Sequence, residues 1–166
     1  MNNTLIVFAS NHGTVEKSVR ELFRHMNGKV DICDLNNRDI APDLSRYDSV
    51  IIGGSIHYGK IQTVISVFSK ENKDILLTKR LGLFVNCLYS GERAEKQLEQ
   101  AFPSELYEKA IVREYFGGEV NNLKLNFWER FITKHIIDNE SLVVAVSKDK
   151  IVEFAEKFSL ENEVKS

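Results

Sequence analysis

Short apolar runs alternate with segments of helical periodicity along the whole chain. Residues 5–9 are an unbroken apolar run, which predicts a strand buried on both faces. Val15, Val19, Leu22, Phe23 and Met26 then recur at helical spacing on one face. Residues 30–35 alternate and predict a weaker second strand, whereas 50–54 predict a third, wholly apolar one. A helix is expected over 61–73, with Val64, Ile65 and Phe68 inward, then a fourth strand at 81–85. A polar-faced helix at 92–102 precedes a fifth strand at 110–116, which ends at Gly117-Gly118. Two helices close the pattern: 127–137, and 148–158 with Ile151, Val152, Ala155 and Phe158 inward.

Strands apolar on both faces that alternate with helices predict a parallel sheet covered on both sides, a doubly wound α/β fold. Ligands of such folds bind outside the carboxyl ends of the strands, where the strand order switches. The loops after the first, third, fourth and fifth strands are therefore the candidates.

Composition narrows the classes. A chain of 166 residues with 43% hydrophobic content, no repeat and no linker is expected to form one domain over 1–166 with its own core. A net charge of −2 gives no sign of a nucleic-acid binder. Cys33 and Cys87 lie far apart and show no metal-ligand spacing, so neither zinc nor a disulfide is expected. That cysteine usage fits a reducing compartment. The apolar run after Met1 is too short for a signal peptide or a membrane span, so a cytoplasmic protein is expected.

The first strand runs into Ser10-Asn11-His12-Gly13-Thr14-Val15-Glu16 and then a helix. A helix N-terminus offers free N–H groups and the positive end of its dipole, which suits a phosphate. Ser10, Asn11 and Thr14 add side-chain donors. The local alternative is that Thr14 caps the helix and Gly13 makes the turn. The loop is neither GxGxxG nor a GK[ST] loop, which disfavours a dinucleotide fold and an NTPase.

After the third strand comes Gly53-Gly54-Ser55-Ile56-His57-Tyr58-Gly59-Lys60. Glycines let a backbone approach a flat ring, on which Tyr58 can stack with His57 nearby. The alternative is a turn with a surface tyrosine. After the fourth strand comes Asn86-Cys87-Leu88-Tyr89-Ser90-Gly91. Asn86 suits the heteroatom edge of a pyrimidine-like ring. Cys87 reads as a packing residue, since no basic partner is near it in sequence. The three loops converge at one edge of the sheet.

These residues resemble a known family. The 10–16 loop is similar to the FMN phosphate loop of flavodoxins. The 53–59 stretch resembles, more narrowly, the menaquinone-dependent protoporphyrinogen IX dehydrogenases and their flavodoxin-domain relatives. So do Phe116-Gly117-Gly118-Glu119-Val120 and Asn126-Phe127-Trp128-Glu129-Arg130-Phe131-Ile132. The resemblance spans nearly the whole chain. It implies a flavodoxin-like three-layer sandwich with a five-stranded parallel sheet of order 2-1-3-4-5 and a non-covalently bound FMN. Ser10, Asn11, His12, Gly13 and Thr14 would hold the phosphate. Ser55, Ile56, His57, Tyr58 and Gly59 would flank the isoalloxazine together with Asn86, Cys87, Leu88, Tyr89 and Gly91. Val15 departs from a pattern in which many flavodoxins carry a hydroxyl; it keeps its backbone N–H, so weaker FMN binding is expected. The stretch between Asn86 and Ala110 is shorter and less basic than in the better-known dehydrogenases, which counts against the porphyrinogen more than against the flavin.

The resemblance implies an FMN-dependent oxidoreductase that takes electrons from protoporphyrinogen IX and passes them to a menaquinone. The flavin would supply the hard chemistry and the chain the orientation. Residues 121–137 set Lys124, Arg130 and Lys134 against the single acid Glu129, among aromatics that include Trp128. Such a helix either touches a membrane surface, where a quinone would be found, or packs in the core. The alternative function is a small electron carrier that docks on redox partner proteins. With 24 acids against 22 bases, its charge would steer it weakly. The enzyme reading is preferred, and no side chain stands out as a general acid or base.

Overall fold

The computed structural model describes residues 2–37, 40–118 and 145–163. The helix expected at 127–137, and the 119–120 and 126–132 parts of the resemblance, lie outside the described residues. In chain order come β1 (Asn3–Phe8), α1 (Thr14–Arg24), β2 (Lys29–Asp34), β3 (Ser49–His57), β4 (Lys60–Ile61) and α2 (Thr63–Glu71). Then follow α3 (Lys73–Leu76), β5 (Arg80–Asn86), α4 (Gly91–Ala101), α5 (Ser104–Lys109), β6 (Val112–Tyr115) and α6 (Lys148–Glu163).

The parallel sheet has the order β2-β1-β3-β5-β6, and β4 folds back antiparallel on the end of β3. Apart from that short hairpin strand, this is the expected flavodoxin-like order. Along β1 the side chains alternate between faces. Leu5, Val7 and Ala9 join Ile65, Phe68, Leu76, Leu98 and Leu106 from α2 to α5. Ile6 and Phe8 join Val15, Val19, Leu22, Ile151, Phe154 and Phe158 from α1 and α6. Both faces are covered, which is why the central strands carry no polar alternation.

Phenylalanines fill the α1/α6 side, and strand glycines make room for them. Phe84 stacks on Phe116 with centroids 4.8 Å apart. A Cβ placed on Gly53 would fall inside the Phe84 ring, and one on Gly82 would lie 2.9 Å from Phe154 Cζ. Gly53 and Gly54 were expected to admit a ligand ring; the structure assigns both to packing within the sheet.

Local expectations shift in four places. Phe23 is 45% exposed, because it stands one helical step off the buried stripe of Val15, Val19 and Leu22. Phe154, three residues on from Ile151, joins the inward face of α6. The third strand continues to His57, and α2 starts only at Thr63 because Lys60 and Ile61 pair back onto β3. The short helix α5 was not expected. Among the described residues, no helix is long and apolar enough to cross a membrane.

Gly53→Ala is expected to lower the unfolding free energy by about 3 kcal/mol through overpacking against Phe84. Urea denaturation followed by circular dichroism measures it.

Candidate functional site

The chain leaves β1 through buried Ala9 and turns through residues 10–13 into α1. Gly13 takes the N-cap position at φ 87°, without a side-chain cap, so Thr14 is the first helical residue rather than the cap. A left-handed φ suits glycine. Ser10 caps part of the helix start instead, since its Oγ accepts from the Gly13 N–H at 3.0 Å and the Glu16 N–H at 3.4 Å. Asn36 braces the loop by donating to the Ser10 carbonyl at 3.3 Å and to Asn11 Oδ1 at 3.0 Å. The N–H groups of Thr14 and Val15 find no acceptor among the described residues. Two unspent donors at the positive end of an 11-residue helix are a ready site for an anion. Val15 buries its side chain, so the missing hydroxyl removes one side-chain donor and leaves the backbone donor in place.

The facing wall is the end of β3. After His57 the chain reverses through Tyr58 at φ 51° and Gly59 at φ 78°, and Lys60 pairs with His57. Two positive φ values make a primed two-residue turn, which matches the twist of the strands. Glycine adopts it freely; Tyr58 bears a strain of about 1–3 kcal/mol. Its ring is 79% exposed. Ser55 Oγ lies 2.9 Å from His57 Nε2, and the His12 and His57 rings meet edge to face at 5.6 Å.

The segment after β5 is buried from Asn86 through Tyr89. Asn86 does not present its amide nitrogen to a ring. Its Nδ2 donates to Ser18 Oγ and to the Gly117 carbonyl, both at 2.9 Å, because the inward side offers two acceptors. Asn86 Oδ1 is buried without a partner among the described residues. Burial pushes the Cys87 thiol from its ordinary 9.0 up to about 12, which fits packing and not nucleophilic chemistry. Tyr89 lies under the Arg93 guanidinium at 3.9 Å, and the Gly91 N–H donates to Tyr115 Oη at 3.1 Å.

One cleft brings together the α1 loop (Ser10, Asn11, His12, Thr14, Val15), the β3 end (Ser55, Ile56, His57) and the β5 end (Asn86, Cys87, Leu88). Gly118 completes it. A second cavity of about 550 Å³ adjoins it, shares Asn11, His12 and His57, and adds Tyr58, Lys60, Ile61, Gln62 and Thr63. That volume is in the range of organic ligand sites, roughly 300–1,000 Å³. No carboxylate lines either cavity among the described residues, whereas Lys60 and two histidines do. Gly13, Gly59, Tyr89 and Gly91 line neither; they shape the turns and the base. Sequence reasoning missed Lys60, Gln62 and Thr63, which it assigned to the turn and helix, and Asn36. For Asn36 the signal was the Asn36-Asn37 pair after the second strand.

Fold and cleft define a doubly wound α/β protein with an anion-accepting helix N-terminus at the switch in strand order. The chain belongs to the flavodoxin domain family, whose model matches residues 5–141. A comparison with curated protein sequences gives no match. Among solved structures, oxidised flavodoxin 1 from Bacillus cereus is 16% identical, with 96% of this chain and 98% of that one covered at a TM-score of 0.62. The Fusobacterium nucleatum flavodoxin, a structure bound to flavin mononucleotide, is 11% identical, with coverages of 97% and 99% and a TM-score of 0.59. The rubredoxin:oxygen oxidoreductase of Desulfovibrio gigas is 17% identical at a TM-score of 0.59. The match covers 99% of this chain but 37% of that larger one. At these identities the likeness is one of fold.

The raised Cys87 pKa predicts a pH dependence. A thiol that holds its proton more tightly in the folded state stabilises the fold below about pH 9, and that contribution is lost as pH rises from 9.0 toward about 12. Between about pH 8 and pH 10, wild type is expected to lose about 1 kcal/mol more stability than Cys87→Ala. Urea denaturation of both proteins across that range checks it.

Proposed function

We propose that this chain binds FMN non-covalently in the cleft and works in electron transfer. The observation that carries the reading is the pair of unspent N–H groups of Thr14 and Val15, beside the hairpin at Ser55–Gly59, in a flavodoxin-domain chain. The residues present fit the group. Those two donors, with the Asn11 and Thr14 side chains, would hold the phosphate. Ile56, His57 and Tyr58 would border the isoalloxazine, and Leu88 would add an apolar contact. When bound, the flavin supplies the redox chemistry. The chain's part is to orient it and to set the charge around it, and among the described residues that charge is neutral to positive. The F. nucleatum neighbour, whose structure holds flavin mononucleotide, supports the same reading.

Two finer readings divide on the partner. The sequence of 53–59 favours the quinone-linked oxidation of a porphyrinogen, and the near balance of 24 acids and 22 bases disfavours strong steering to a basic protein partner. Fold and family favour a flavodoxin-type electron carrier equally well. Anaerobic mixing of the FMN-loaded protein with protoporphyrinogen IX separates them. Bleaching of the flavin followed by reoxidation with a menaquinone analogue supports the enzyme. Inertness there, with fast reduction by a flavodoxin reductase, supports the carrier.

Two variants test the site itself. A Cβ on Gly13 meets nothing within 4 Å, and aspartate tolerates a positive φ better than most residues. Gly13→Asp is therefore expected to fold, yet to bind FMN at least about 100-fold more weakly, because its carboxylate sits at the phosphate site. Retained stoichiometric FMN in a flavin-fluorescence titration contradicts the assignment. Tyr58→Gly relieves the strained turn, so the melting temperature of the apoprotein is expected to hold or rise while FMN affinity falls about tenfold through loss of the ring contact.

A further inference from the structure

The parallel ladder between β1 and β3 stops at Phe8 and Gly53. Continued one step, it would next join the Ser55 N–H to the Ala9 carbonyl. These groups do not meet. The Gln62 side chain stands between them: its Oε1 accepts from the Ser55 N–H and its Nε2 donates to the Ala9 carbonyl, each at 2.8 Å. A primary amide carries an acceptor and a donor on one planar unit, so it takes the place of the missing ladder bond. The space for it is reserved, since a Cβ on Gly54 would collide with Gln62 Oε1. The amide is held from a fixed base, because the Gln62 carbonyl accepts from the Ile65 and Ser66 N–H groups at the start of α2, both at 3.1 Å.

We propose that Gln62 is a positioning residue whose amide, inserted between β1 and β3, sets the gap between the 10–15 loop and the 55–59 hairpin. The proposal rests on the FMN reading above and deepens it: the spacing of the two strand ends fixes how far the phosphate end of the cofactor lies from its ring. Gln62 acts through its neighbours. Ala9 precedes Ser10, whose hydroxyl orders the start of α1, and Ser55 places its hydroxyl on His57. A β1–β3 pair zipped shut by a direct bond would bring the two loops together and narrow the cleft.

Gln62→Glu tests this without a change of shape. A protonated carboxyl donates to Ala9 and accepts from Ser55; an ionised one only accepts, and it then faces the lone pairs of the Ala9 carbonyl. The titratable groups that share the cavity with position 62 are His12, His57, Tyr58 and Lys60, and no carboxylate lines it among the described residues. Wild type is measured in parallel, so that any pH dependence it shows without the substitution is subtracted. Gln62→Glu is expected to bind FMN within about twofold of wild type near pH 5 and about tenfold more weakly near pH 8. The Ser55 amide resonance of the apoprotein should shift along the same curve. Gln62→Leu should bind weakly at both pH values and exchange its Ser55 amide about tenfold faster than wild type. Equal FMN affinity of the three proteins at both pH values overturns the proposal. If wild type itself takes up no FMN, the functional reading fails instead. The inserted amide is then judged on the apoprotein, where identical Ser55 resonances and exchange rates in wild type and Gln62→Leu overturn it.

Discussion

Parallel pairing between β1 and β3 ends at Phe8 and Gly53 because the two strands send their helices to opposite faces of the sheet. α1 packs with α6 on one side and α2 with α4 on the other, so the chains must part at the carboxyl ends of the strands. A parted pair of strands in a doubly wound sheet is an open crevice by construction. The start of α1 forms one lip and the β3–β4 hairpin the other. Neither lip can close its hydrogen bonds with the other, which calls for the Gln62 amide; the first turn of α1 separately leaves the N–H groups of Thr14 and Val15 unspent at the same place.

The body of the fold supports these imperfections. Phe84, Phe116, Phe154 and Phe158 are fully buried against strands whose glycines admit them, and Leu5, Val7, Val50, Ile52 and Leu83 fill the other face. Burial of that kind, roughly 1.5–3 kcal/mol for each large apolar side chain, far exceeds the strain of one tyrosine in a left-handed turn. The strain at Tyr58 and the unspent N–H groups of the helix start lie on two adjoining cavities. That is where a rigid scaffold can hold unfavourable local geometry for the sake of a ligand.

Most of the layering was legible in the sequence, because runs such as 5–9, 50–54 and 81–85 have a single reading, a strand buried on both faces. The turn from β1 into α1 was legible for the same reason: a polar stretch with one glycine separates a buried strand from an amphipathic helix. The ring side was read less well. Residues 55–60 were read as a loop, but β3 runs on to His57 and Lys60 pairs back onto it, while Gly53 and Gly54 lie in β3 as expected and make room for Phe84 and Gln62. Asn86 lines the cleft as expected, but Ser18, a residue on the buried side of α1, claims its amide nitrogen together with the Gly117 carbonyl. Contacts between residues 68 apart in the chain leave no local pattern. Gln62 escaped for the same reason: its partners Ala9 and Ser55 are set by the parting of two strands and not by spacing.

The proposal that a flavin phosphate is held at the start of α1 rests on the cleft, the family and the unspent donors. Equilibrium titration of the purified protein with FMN, read as quenching of flavin fluorescence and as shifted visible bands after the excess is removed, tests this most directly. The account predicts saturation at one FMN per chain, with affinity reduced by competing inorganic phosphate. Absence of flavin bands and of quenching would contradict it and leave a flavodoxin-domain fold serving another ligand.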